Sequence, residues 1–121
     1  MGQLTDSGAN LVLDSGLPAT VYQGLSSTTP AADGSNVTEP SGSGYARKAL
    51  TIGAAASRQR SNTNAVQHAA SGGNWGIMTH SVYYTASSGG TPIAFDDLDA
   101  ARNMVDGATM DFGVGDADFG A

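Results

Sequence analysis

Residues 75–86 read Trp-Gly-Ile-Met-Thr-His-Ser-Val-Tyr-Tyr-Thr-Ala, and this stretch decides the fold class. Written with a period of two, it places Trp75, Ile77, Thr79, Ser81, Tyr83 and Thr85 on one side. Gly76, Met78, His80, Val82, Tyr84 and Ala86 fall on the other. Apolar and aromatic groups occur on both sides, the pattern of a strand covered on both faces. Ser87-Ser88-Gly89-Gly90 supplies turn chemistry, and residues 91–95 resume an extended pattern, so the two runs predict a hairpin.

The neighbouring segments support the same class. Ala108, Met110, Phe112 and Val114 alternate with Thr109, Asp111 and Gly113, as in a half-buried strand. Residues 45–52 carry Ala46, Leu50 and Ile52 on one side, and residues 19–27 carry Ala19, Val21 and Leu25. Residues 64–70 make a further short strand. The Pro-, Gly-, Ser- and Asp-rich residues 28–44 form a long loop of the kind that makes contacts. Residues 53–62 read as a turn or exposed excursion, and residues 96–106 as an Asp-rich bend. Six or so short strands separated by turns predict an all-β domain, a β-sandwich or small jelly-roll-like fold.

One short helix precedes them, over residues 4–15. Thr5 or Asp6 can cap it, Leu4, Leu11, Val12 and Leu13 form an apolar edge, and Gly16 and Pro18 end it. Gly8 weakens this helix by about 1 kcal/mol relative to alanine. The organisation expected is a helical arm at 1–18, a β-sandwich at 19–114 and an exposed acidic tail at 115–121.

The 121 residues fit one domain. Only 13% are charged, against about a quarter in an ordinary globular protein, and 17 are glycine. A core of Ala, Val and single aromatics buries little area per residue, so burial against neighbouring subunits would supplement it. The net charge is −6, and seven of the eleven acids lie in the last 26 residues. An acidic chain without a long basic run makes a poor nucleic-acid binder, so no nucleic-acid partner is expected. No apolar run approaches the ~20 residues that span a bilayer, so no membrane partner is expected either. The start, Met-Gly-Gln-Leu-Thr-Asp, does not read as a secretory signal. The lack of cysteine removes disulfides, thiol catalysis and thiolate zinc sites.

Catalysis needs proton-transfer or nucleophilic groups that converge. His80 and Ser81 are adjacent, and neighbours on a strand point to opposite faces, so they read as structural. Asp96, Asp97, Asp99, Asp116 and Asp118 could supply oxygen ligands for calcium, but no EF-hand frame fits and turn-setting acids are the simpler reading. No cofactor is expected. Tyr45, Arg47 and Lys48 put an aromatic and two cations at a strand start, the composition of an interface anchor. Leu4 and Leu11 on the helix, and Asp116 and Asp118 in the tail, complete the candidate protein-contact residues.

Several segments together carry a family resemblance: Leu17-Pro18-Ala19-Thr20-Val21-Tyr22, the Thr29-Pro30…Asp33-Gly34 turn, Glu39, Ser43-Gly44-Tyr45-Ala46-Arg47-Lys48-Ala49-Leu50-Thr51, and Asn74-Trp75-Gly76-Ile77-Met78-Thr79-His80. In this order they resemble a family of small tailed-phage virion proteins, tail-fibre-like and in some phages linked to capsid cement or decoration. The resemblance implies a β-sandwich with a structural role and covers most of the chain to about Phe95; the acidic C-terminal third departs from the pattern. It implies a non-enzymatic capsid cement protein, with a tail-fibre or baseplate component as the alternative and a glycan-binding sandwich or enzyme behind both. The partners expected are further copies of the chain, as a homo-oligomer such as a trimer, and the major capsid or other virion proteins. The protein would be made in the host cytoplasm and reside in the particle, at the capsid surface.

Overall fold

The computed structural model describes residues 2–120; Met1 and Ala121, the ends of the expected arm and tail, lie outside them. Among the described residues one helix, α1 (Asp6–Gly16), precedes eight strands. These are β1 (Thr20–Ser26), β2 (Lys48–Thr51), β3 (Gln59–Ser61), β4 (Val66–Ala69), β5 (Gly76–Tyr84), β6 (Pro92–Met104), β7 (Thr109–Phe112) and β8 (Asp118–Gly120). A four-stranded antiparallel sheet has the order β2-β1-β5-β6, and two antiparallel ribbons, β3-β8 and β4-β7, accompany it. The protein is a small all-β domain with a short N-terminal helix.

The decisive stretch is an interior strand. β5 lies between β1 and β6, and its last five residues, His80 to Tyr84, are all buried. Tyr83 and Val82 face opposite layers, which explains the apolar groups on both sides. The hairpin into β6 forms with Tyr83 opposite Ala94 and Ser81 opposite Asp96.

Two hydrophobic clusters line the inner face of the sheet. Val21, Leu50, Ile52 and Tyr83 pack with Ala117 and Phe119, with Val66 against them. Leu25, Met78 and Met104 pack with Trp75, Leu98, Met110 and Phe112. The ribbons thus close the inner face, and β7 presents Met110 and Phe112 inward as the alternation predicts. Val114, expected on the same side, stands 66% exposed beyond the strand end.

Alternation along β5 breaks once. The register shifts between Met78 and His80, where Met78 pairs with Arg102 but His80 with Asp97. Between these pairs β5 advances two residues and β6 five, a bulged irregularity that changes which side chains face inward beyond it. Met78 therefore joins the inner cluster and Ile77, expected to share a face with Tyr83, is exposed.

Three sequence expectations are corrected. Residues 96–106 are not a bend: β6 runs through Asp96, Asp97 and Asp99, whose exposed carboxylates reach solvent from the sheet edge without interrupting it. Residues 53–62 are not merely an excursion, because β3 lies within them. The segment expected as an exposed tail at 115–121 is not one over its described residues, 115–120: Ala117 and Phe119 are core residues, and β8 pairs with β3 through Arg60 opposite Phe119. The alternate residues Asp116, Asp118 and Gly120 face out.

The helix is tied to this body. Thr5 caps it, accepting the Gly8 N–H through its hydroxyl, and Ala9 and Leu13 are buried. Arg60, 6% exposed, donates to the carbonyls of Leu13 and Leu17 at 3.0 and 2.7 Å, and to those of Gly53 and Ile52. Its guanidinium thus caps the C-terminal end of the helix, adding to the Leu17 N–H that the Leu13 carbonyl already accepts. Asn10 and Asp14 accept the Arg58 and Ala55 N–H groups, each at 2.8 Å.

Candidate protein interface

The face of the sheet away from the ribbons carries Tyr22, Gly24 and Ser26 of β1, His80, Val82 and Tyr84 of β5, and Phe95 and Asp97 of β6, matched by register, with Ile93 beside Phe95 where the register shifts again. Residues 27–47 lie across part of it. Their first half is pinned by short polar side chains: the Ser26 hydroxyl donates to Thr28 O at 2.7 Å and accepts the Thr38 N–H at 3.1 Å, and Thr28 Oγ1 donates to Asn36 O at 2.6 Å. Asp33 accepts the backbone and hydroxyl hydrogens of Ser35, which hold its carboxyl below the usual range. Gly34 follows at φ +82° so close to Pro92 that a Cβ would stand 2.6 Å from the proline Cγ.

The second half is held by a charged clamp. Arg47 Nε and Nη2 donate to the two oxygens of Glu39 at 3.1 and 2.7 Å, a bidentate pair, and Nη1 donates to the carbonyls of Ala86 and Gly89 at the β5–β6 turn. Tyr45 donates to Glu39 Oε2 at 2.5 Å, accepts the Leu25 N–H at 3.0 Å and meets Trp75 edge-on at 5.2 Å. Burial pushes the Glu39 carboxyl up, but the hydrogen bonds from Arg47 and Tyr45 outweigh it and hold Glu39 below its ordinary value. Burial, then the neighbouring Glu39, raises the Tyr45 phenol.

Where residues 27–47 approach the hairpin they leave an apolar groove of about 330 Å³, walled by Pro30 and Val37 from the loop and by Val82, Pro92, Ile93 and Phe95 from the sheet. Ile93 is 37% and Phe95 43% exposed. A second apolar surface lies on α1, where Leu4, Leu11 and Val12 are 47%, 67% and 50% exposed. A smaller cavity, about 180 Å³, is ringed by Asp96, Asp97, Asp99, Asp111 and Asp116; among the described residues no three metal-ligating side chains converge.

The structure thus separates the residues that the sequence grouped. Tyr45 and Arg47 meet through Glu39 and are consumed by contacts within the chain. Lys48 stands apart on β2, opposite Gln23. Leu4 and Leu11 are presented to solvent together. Asp116 accepts the Gly113 N–H at 2.7 Å in a turn, and Asp118 accepts the Ser61 hydroxyl. Sequence reasoning missed the groove, although Ile93 and Phe95 do sit two apart on one face of the expected hairpin. It also missed a histidine row: the irregularity in β5 brings Thr79 Oγ1 within 2.8 Å of His80 Nδ1, while Asp97 lies 2.7 Å from Nε2. Thr79 also donates to Ser26 O at 3.3 Å, so the row ties β1, β5 and β6 together where their register breaks.

The family model described as podophage GP4 fiber I protein gp80 matches residues 6–120. The chain belongs to this family. The match starts with α1 and runs through β8, so the fiber I unit includes both the helix and the acidic C-terminal strand that the sequence had set apart. No curated protein matches the chain. Membership makes it a structural protein of the phage virion.

Proposed function

We propose that the chain is a component of a phage fibre and works by packing against other virion subunits, without catalysis. The observation that carries this reading is the placement of its exposed large hydrophobics. The body is closed by two inner clusters, yet Leu4, Leu11 and Val12 on α1, and Ile93 and Phe95 at the groove, remain open to solvent. Contiguous apolar surface of this kind marks protein contact sites. A rigid body with contact surfaces suits a subunit whose position in a particle is its function.

The capsid-cement role implied by the earlier resemblance is a different position in the same particle, and the family description favours the fibre. Copy number and location test the proposal. A tagged chain in purified particles should be found at the tail in a few to a few tens of copies. Hundreds of copies spread over the shell would overturn the fibre reading in favour of cement.

A further inference from the structure

We infer that the apolar stripe of α1 in one copy seats in the groove between residues 27–47 and the β5–β6 hairpin of the next copy, a head-to-tail contact between identical chains. The inference rests on the fibre reading and names the partner. Leu4 folds back along the helix, its Cδ2 lying 3.8 Å from where a Cβ on Gly8 would stand. That places it about one turn before Leu11 and Val12. The three make one ridge, on the side away from buried Ala9 and Leu13. The groove, at about 330 Å³, falls in the range of cavities that accept a sizeable apolar guest, about 300–1,000 Å³.

One copy cannot join the two surfaces itself. α1 packs against β3, a strand of the ribbons, whereas the groove opens on the other face of the four-stranded sheet. Charge selects the pairing. Both acids of α1 have arginine neighbours, Asp6 with Arg58 at 3.3 Å and Asp14 with Arg60 at 3.8 Å, so the ridge is flanked by balanced charge. The groove carries Asp33 at its rim, with Asp97 farther along the same face of β6. Groove against groove would oppose like charges, while the charge-balanced ridge meets the acidic rim without repulsion. Each copy then offers one ridge and one groove, so the contact is heterologous and repeats into a ring or row.

Leu11→Glu and Phe95→Glu each place a charge on one of the two surfaces at positions already exposed, and circular dichroism checks that each variant is folded. Val12→Glu and Ile93→Glu serve as the second pair if either fails. In sedimentation velocity the unaltered full-length chain should form species larger than a dimer, and each variant alone should be monomeric at the same concentration. An equimolar mixture should recover a dimer and nothing larger, because one intact ridge meets one intact groove. Oligomers from a single variant, a monomeric mixture, or loss of assembly in Leu11→Glu alone would each overturn the contact. An unaltered chain that stays monomeric at millimolar concentration would also overturn it. That last result leaves the fibre reading standing, since location in the particle tests it separately.

Discussion

The guanidinium of Arg47 lies 3.5 Å over the ring centroid of Tyr84 while two of its nitrogens grip Glu39. One side chain thereby joins the strand face, the long loop and the β5–β6 turn. Its side chain is 10% exposed and that of Glu39 21%. Arg47→Ala strips a mostly buried carboxylate of its partner, and breaking such a pair costs about 3–5 kcal/mol. The lower end, about 3, is expected here because Tyr45 still donates to Glu39. Arg47→Lys keeps the charge but loses the fork and the stacked plane, so it should recover only part of the loss. Urea unfolding midpoints of the three proteins decide the matter, and a lysine variant as stable as the parent would show that the fork contributes nothing.

A second prediction concerns acid. His68 is fully buried, with Nε2 at 2.9 Å from Gln23 Oε1 and, among the described residues, no partner for Nδ1. Burial first, and the charge of Lys48 second, push its pKa down to about 4 from 6.5. The unfolded chain therefore binds this proton more readily than the folded one. Stability from the neutral ring is fully present above pH 6.5 and is lost as pH falls toward 4, where the loss saturates at about 3 kcal/mol. Glu39, held below its ordinary value, adds a loss in a lower window, as pH falls from its unfolded pKa of 4.5 through the folded one. Unfolding free energies measured from pH 7 to 4 should slope downward, and His68→Asn should flatten the slope above pH 4.5. An unchanged slope in that variant would assign it to other groups.

How much of this was legible depends on which interactions were local. The helix cap at Thr5 and the extended run of β5 rest on residues close in sequence, and both stand in the structure, although Ile77 does not keep the face the alternation gave it. β8 was missed because acids mask its alternation: Asp116 and Asp118 are exposed while Ala117 and Phe119 are buried, a period of two hidden in what reads as a solvated tail. β3 was missed because Arg60 reads as a surface residue, yet its five N–H donors find four carbonyls brought together only by the fold. Nothing local signals the irregularity near Thr79 or the pairing of Glu39 with Arg47. The groove likewise exists only once residues 27–47 have been folded onto the hairpin.

The C-terminal strand yields a third prediction. Phe119 meets Tyr83 edge-on at 4.9 Å, and the Ala117 N–H donates to the buried Asn62 side chain at 3.0 Å. Phe119→Ala should cost about 3–5 kcal/mol, the range for buried aromatic truncations, and deleting residues 115–121 should cost more. Thermal unfolding followed by circular dichroism checks both. A deletion variant that melts with the parent would return this segment to the status of a tail.

Gly24 supplies the last prediction, because two effects of opposite sign meet there. Glycine inside a strand normally weakens it, so alanine should help by about 0.5–1 kcal/mol where there is room. At Gly24 there is none: a Cβ would stand 2.8 Å from both Glu39 Oε2 and the Tyr45 hydroxyl, the two atoms at the centre of the clamp. Both are held in place, since Tyr45 also accepts the Leu25 N–H and Arg47 grips the carboxylate. Close approach of another group is one reason a strand keeps a glycine. Gly24→Ala should therefore destabilise the protein, by pushing residues 39–47 off the sheet. Tyr45→Phe removes one of the two clashing atoms, so the alanine should cost less in that background than in the parent. The coupling comes from urea unfolding of the four proteins in a double-mutant cycle. A Gly24→Ala protein at least as stable as the parent would show that the clamp yields freely and that residues 27–47 are not fixed on the sheet by it.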